Sequence, residues 1–273
     1  MSLRPIRRIV GAAFVAAAAL LAGCATTTPG GVPIDTSVTA IGQDSRVEFL
    51  ILHYTALDMA DSLKELSRGG VSAHYLVTDE NPPRIMRLVR ERRRAWQAGV
   101  SYWRGNAMLN SSSIGIEIVN RGWTIGPDGQ RVYAPYSEAQ IDTLIPLIRD
   151  IVERHQIQPD RILGHSDIAP QRKQDPGPLF PWKRLGELGI IPWPDPTQVA
   201  GLETVYAAAL PDATWFQQQL ARLGFQITET GEFDEPTRNV IAAFQMKYRP
   251  ARYDGQADPE TAALLQVVNS ISP

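Results

Sequence analysis

Apolar residues fall along this chain in short runs up to about residue 200 and at helical spacing beyond it. The runs at 47–52, 73–77, 85–89, 114–119 and 161–163 predict strands of a mostly buried sheet. Ser137 and Gln140 predict a capping box for a helix running to about His155. Its apolar face is Ile141, Leu144, Ile145, Ile148, Ile151 and Val152, with a kink expected at Pro146. Strands interleaved with helices imply an α/β domain, a mixed central sheet flanked by helices over residues 45–196, closing in the breaker-rich IPWPDP.

Past residue 200 the strand signals vanish, and helices are predicted at 214–223, 236–248 and 259–268, a small all-α three-helix domain over 200–270. The last two open alike. GEFDEPT from Gly231 and GQADPET from Gly255 share a G-x-x-D-x-x-T frame, with aspartate near the N-cap and proline in the first turn. Apolar residues then recur at matching offsets, Val240, Ile241 and Phe244 against Leu264, Leu265 and Val268.

With 273 residues and a formal charge of -2, the chain can hold one sizeable core and a small second domain, and it has no global field to steer a polyanion. No nucleic-acid partner is expected. The basic run RLVRERRRAW, residues 87–96, reads as the solvated side of a strand and loop lining a polar cleft. Arg4, Arg7 and Arg8 precede an apolar stretch at 9–22, too short for an ordinary membrane span but fitting a signal-peptide core. It ends in LAGC, which resembles the lipobox of bacterial lipoproteins. Residues 1–23 are therefore expected to be a lipoprotein signal peptide, with Cys24 the acylated (palmitate-bearing) first residue of the mature chain. Cys24 is the only cysteine, which excludes an intramolecular disulfide and a cysteine zinc site. Ala25 behind it favours the outer membrane of a Gram-negative envelope, and residues 24–44, rich in Thr, Gly and Pro, read as a tether.

The chemistry concentrates in GHSDIAPQRKQDPG, residues 164–177, which sets His165, Lys173 and Asp175 on one short Pro-rich segment behind an apolar strand. Imidazole and carboxylate are good zinc ligands, and a third comes from His53 at the end of another buried-looking strand, VEFLILHYTA. Ligands at strand ends are held rigidly while the loops beyond leave a coordination position open, the pattern of a catalytic metal centre. Such an ion keeps a position for water and lowers its pKa to about 7. Glu117 lies in an otherwise apolar strand, SIGIEIVN, where burial raises a carboxyl toward the range a general base needs. His74 is read as a core or supporting residue, because a fourth protein ligand would close the site. His155, at a helix end, is read as a partner of the helix dipole.

The set HYTA at His53, VSAHYLV around His74, AWQAGVSYW, SSIGIEIVNRGW around Glu117 and GHSDIAPQRKQDPG resembles the zinc-dependent N-acetylmuramoyl-L-alanine amidases. That family shares its fold with a phage lysozyme and the peptidoglycan recognition proteins. The resemblance covers roughly residues 45 to 195. It implies Zn2+ on His53, His165 and Asp175, Glu117 as the catalytic base, and Lys173 stabilising the oxyanion. It also implies hydrolysis of the amide between N-acetylmuramic acid and L-alanine in peptidoglycan or muropeptides. A non-catalytic peptidoglycan receptor and a wall endopeptidase are the alternatives. Two departures stand out: Ala73 where other branches commonly carry a tyrosine, and Gln97 where close relatives commonly carry histidine. The C-terminal echo, with WFQQQLARLGF ahead of it, resembles the peptidoglycan-binding domain appended to many wall hydrolases. It is expected to set wall affinity and leave the chemical step alone.

Overall fold

The computed structural model describes residues 25–272, so the signal-peptide expectation and Cys24 lie outside the described residues. The chain divides into two compact units at Asp44 and Ser45. In the first, Ala25–Thr27 (β1) pairs antiparallel with Pro33–Asp35 (β2). The expected featureless tether thus contains a hairpin. Gly31, at φ 80°, closes its turn by donating its N–H to the Thr28 carbonyl at 2.8 Å.

The second unit is built on a mixed sheet. Its strands are β3 (Phe49–Tyr54), β4 (Tyr75–Val77), β5 (Ile85–Arg87), β8 (Ser113–Ile118) and β11 (Ile162–Gly164), in the order β11-β3-β8-β4-β5. The first four in that order run parallel, and β5 returns antiparallel at the edge. Two small hairpins decorate it: β6 (Tyr102–Trp103) with β7 (Asn106–Ala107), and β9 (Trp123–Ile125) with β10 (Arg131–Tyr133). Neither was visible in the apolar pattern, being too short to show alternation.

The four parallel strands bury both faces, which is why they read as continuous apolar runs, while the edge strand β5 is largely exposed. Leu50, Leu52, Ile114, Ile116 and Ile118 pack against a helix, Glu138–His155, on one face. That helix, α2, starts with the expected Ser137–Gln140 capping box and runs unbroken past Pro146, which sits on its exposed side. An exposed position lets water satisfy the carbonyl that proline leaves unpaired. An earlier helix, α1 (Met59–Arg68), was not predicted, although its signals were present in the Asp58 cap and the spacing of Met59, Leu63 and Leu66.

The other face of the sheet is covered by the C-terminal helices α6 (Ala213–Leu223), α7 (Glu235–Tyr248) and α8 (Pro259–Ile271). Phe49, Ile51 and Leu163 share one buried cluster with Phe216, Leu220, Ile241, Phe244 and Leu265. The echo between the last two helices has a physical cause. Gly231 and Gly255, both at positive φ, donate to Gln217 Oε1 and Gln245 Oε1 of the preceding helix. Those amides donate in return to Thr237 and Thr261, while Asp234 and Asp258 cap the helix that follows. Each frame locks one helix to the next. After the short helix α4 (Trp182–Glu187), a further helix, α5 (Pro196–Ala208), begins at the breaker-rich boundary and packs along α8. It buries none of its residues fully and has no apolar stripe to announce it.

The helices therefore do more than hang beside the sheet. Lys247 of α7 buries its ammonium against the domain's centre, donating to Asp167 Oδ2 at 2.9 Å and to the Ile162 carbonyl at 3.2 Å, over the Trp182 ring. Asp167 Oδ2 also accepts from the Gly164 N–H at 2.8 Å. Removing one partner of a buried pair strands the other charge. Lys247→Met is expected to lower unfolding stability by about 3–5 kcal/mol, measured by denaturant titration; an unchanged midpoint would show that Asp167 finds another partner. A chain ending near residue 196, which strips the cover from Phe49, Ile51 and Leu163, is expected to lose cooperative melting, contrary to a free-standing catalytic domain.

Candidate metal centre

The parallel register sets the centre. His53 of β3 lies directly beside Glu117 of β8, so both side chains leave the sheet on the same face. β11 runs parallel to β3 on its other side and ends at Gly164, so the next residue, His165, starts the short helix α3 (His165–Ile168) beside His53. The loop that follows folds back, with the Ser166 N–H donating to the Asp175 carbonyl at 2.9 Å, and this returns Asp175 to the same point.

Three of the sequence-predicted residues meet there. His53 Nδ1 lies 2.9 Å from Asp175 Oδ2 and 3.0 Å from His165 Nδ1, and His165 Nδ1 lies 3.1 Å from Asp175 Oδ2. All three are buried, and they form the ligand group found among the described residues. Tetrahedral zinc with bonds near 2.0–2.1 Å separates its ligand atoms by about 3.3 Å, so this triangle of two imidazole nitrogens and a carboxylate oxygen fits the ion with a few tenths of an ångström of expansion. Three ligands leave a position open.

The outer nitrogens are spoken for. His53 Nε2 donates to Gln97 Oε1 at 2.6 Å, Gln97 Nε2 donates to Ser113 Oγ at 2.7 Å, and Ser113 Oγ donates to the Leu109 carbonyl at 2.6 Å. This chain of bonds fixes the amide's orientation and leaves the His53 Nδ1 lone pair facing the group. Gln97 lies flat over Gly115, where a Cβ would come within 2.5 Å of its Cγ. His165 Nε2 donates to the Ala98 carbonyl at 3.2 Å. That carbonyl also accepts from Arg172, whose guanidinium binds Val100 O as well and so clasps the 98–100 turn. Neither the Gln97 relay nor the Arg172 clasp was legible beforehand, because both join groups distant in sequence that only folding brings together. His74 stands apart from the ligands: its Nδ1 accepts from the Gly115 N–H and its Nε2 donates to the Arg93 carbonyl, which uses both nitrogens.

Glu117 and Lys173 line one cleft of about 170 Å3 with Gln97, His165 and Asp175. Glu117 Oε2 is buried without a hydrogen-bond partner. Burial, with the Asp175 charge, outweighs the pull of His53 and Lys173 and pushes the Glu117 carboxyl up to about 7. Burial alone would raise Asp175 too. The charges and hydrogen bonds of His165 and His53 overcome it and hold that carboxyl well below the usual range. Burial favours the neutral ring at both histidines; it prevails at His165, whereas at His53 the Glu117 and Asp175 carboxylates outweigh it. A second hollow, of about 350 Å3, continues the cleft between Tyr54, Trp123, Arg131 and Asn239, the last carried on α7. His155 ends α2 as expected but is also bonded to Ser45 and Glu91.

Gln97→Leu is expected to weaken zinc binding about 10–100-fold, read by chelator competition; unchanged affinity would mean that the His53 ring is oriented without it. Asp175→Ala is expected to cost far more metal affinity than Lys173→Ala, since only the aspartate faces both imidazoles. Equal zinc occupancy in wild type and Asp175→Ala would remove Asp175 from the ligand set.

Comparison with known proteins agrees with this geometry. Residues 43–178 match the N-acetylmuramoyl-L-alanine amidase family and residues 210–265 a peptidoglycan binding domain family. The chain is 44% identical over 264 residues to the N-acetylmuramoyl-L-alanine amidase AmiD of Escherichia coli, covering 93% of this chain and 95% of that one. It also resembles the structure of that amidase in complex with anhydro-N-acetylmuramic acid-L-Ala-D-gamma-Glu-L-Lys, at a TM-score of 0.79 and 41% identity over 89% of this chain and 96% of that one. The Pseudomonas aeruginosa AmpDh3 complex with an anhydromuramic pentapeptide superposes at a TM-score of 0.80 and 39% identity, over 87% of this chain and 97% of that one. Likeness of this extent, spanning both the mixed sheet and the helices behind it, makes the chain a member of the N-acetylmuramoyl-L-alanine amidase family.

Proposed function

We propose that the chain is a zinc-dependent hydrolase of the amide joining the lactyl group of N-acetylmuramic acid to L-alanine, acting on peptidoglycan or its soluble muropeptides. The observation that carries this reading is the His53–His165–Asp175 triangle opening on the same cleft as an unpartnered Glu117. A zinc ion held there would supply Lewis acidity and a water acidified to about pKa 7. Glu117, near neutrality, accepts the proton of the attacking water and returns it to the L-alanine nitrogen as the C–N bond breaks. A carboxylic acid on the lactyl group and a free amine result. Lys173 places its ammonium on the cleft wall, where it offsets the charge that develops on the carbonyl oxygen. With no tyrosine at Ala73, proton transfer falls to Glu117.

The competing reading, a non-catalytic receptor, is disfavoured by the complete set of ligands and by the carboxylate beside them. A wall endopeptidase lacks support from any familiar zinc-peptidase signature. The matched peptidoglycan-binding segment supports a role for the C-terminal helices in holding wall polymer. The LAGC sequence supports acylation of Cys24 and residence at the outer membrane, which would keep the enzyme beside its polymer.

Glu117→Gln is expected to keep zinc and fold while kcat on a soluble muropeptide falls by about 10²–10⁴, because an amide of the same shape accepts no proton. In the parent, rate should fall as acid protonates Glu117, below a pH near 7 or lower once a cation stands beside it. Mass spectrometry of the products identifies the bond cut; near-normal turnover in Glu117→Gln would require another base. Cys24→Ser is expected to release the protein from the membrane fraction. Co-fractionation with outer membranes at the parent's processed mass would overturn the anchor.

A further inference from the structure

The end of the sheet opposite the metal centre carries an unmatched concentration of positive charge. A hollow of about 660 Å3 opens there, lined by Arg46, Arg92, Arg93 and Arg94 together with Asn110 and Ser111. All four arginine side chains are exposed, and among the described residues none has an ion-pair partner. The acid in the same hollow, Glu91, is already taken up: Arg154, His155 and Tyr75 all bind it, and the Arg154 contact above all holds its carboxyl down at about 2, against burial. Glu48 nearby is paired with Arg161. Four exposed arginines thus line one hollow on a chain whose formal charge is -2. Crowded like charges repel one another and favour an anionic partner.

Val47, just before β3, and Ser113, the first residue of β8, line this hollow, whereas Glu117 of β8 lines the catalytic cleft and His53 stands near the end of β3. Ser113 and Glu117 lie four residues apart on β8, about 13 Å along the strand, so the hollow sits at the start of this pair of strands and the catalytic cleft near their ends. Ser45, where the second compact unit begins, also lines the hollow. The chain therefore enters this unit at the arginine end.

We propose that the arginine hollow is a docking surface for the anionic phospholipid headgroups of a membrane. Guanidinium groups bind phosphate oxygens through paired, charge-assisted hydrogen bonds, and a basic patch acts as a second membrane signal beside a single lipid attachment point. Docked in this way, the arginine end meets the bilayer and the cleft mouth at the other end faces away from it, toward wall polymer. That orientation rests on the Cys24 anchor proposed above; the headgroup surface itself does not.

The test uses unacylated chain from Ala25 onward, which holds every described residue and the whole of the second unit, with vesicles of phosphatidylcholine alone or mixed with phosphatidylglycerol. Co-sedimentation is expected only with the phosphatidylglycerol vesicles, weakening as salt rises. The triple variant Arg92→Gln/Arg93→Gln/Arg94→Gln is expected to lose affinity on the order of a hundredfold, with zinc content, melting and turnover of a soluble muropeptide unchanged. Equal binding of the parent chain to both vesicle types overturns the proposal without any variant. So does a folded triple variant that binds anionic vesicles as the parent does. Loss of binding to purified sacculi in the triple variant, with vesicle binding intact, would assign the arginines to anionic wall peptide instead. Because the protein carries no acyl chain here, a failed Cys24 anchor leaves these results untouched.

Discussion

Bringing two imidazoles and a carboxylate within 3.1 Å of one another in a buried site confines groups that would otherwise each be solvated by water. Burial penalises the charge on Asp175, and the charges and hydrogen bonds of His165 and His53 outweigh that penalty. All three nevertheless turn lone pairs toward one point, an arrangement that a divalent cation resolves and a proton resolves only in part. Much of the surrounding structure can be understood as holding that arrangement in place.

The hold comes from several directions. Parallel pairing puts His53 beside Glu117 and makes the proposed ligand and the proposed base neighbours on adjacent strands. The Gln97 relay and the Arg172 clasp fix the outward nitrogens of the two histidines, directly in one case and through the shared Ala98 carbonyl in the other. From behind, Lys247 on a C-terminal helix binds Asp167, two residues past His165. The helical segment is thereby part of the scaffold of the metal loop as well as the region matched to a wall-binding family. Those helices and the sheet that carries His53 and Glu117 share one continuous core.

Much of this was legible in the sequence, for reasons that differ by element. Strands buried on both faces announce themselves as unbroken apolar runs, so the four parallel strands were found within one or two residues, as was the more exposed edge strand β5. The ligand triangle was legible because its members sit at strand ends or on a Pro-rich return loop, where only rigid placement makes sense of the residue types. Helix α5 was missed because it has no apolar face, and the small hairpins because two or three residues hold no period. Gln97 stands where close relatives commonly carry histidine, and its amide oxygen accepts from His53, a contact that only the fold brings about. Lys247 reads in sequence as an ordinary helix-end lysine; its burial follows from the packing of α7 on the sheet, which local pattern does not contain.

X-ray absorption at the zinc edge of stoichiometrically loaded protein tests the central claim most directly, since it reports the neighbours of the ion without reference to activity. The account predicts a first shell of nitrogen and oxygen near 2.0–2.1 Å, with outer-shell scattering from two imidazole rings that drops to one in a His165→Ala protein. A shell containing a third imidazole, which would bring in His74, or two-ring scattering that survives the loss of His165, would contradict it.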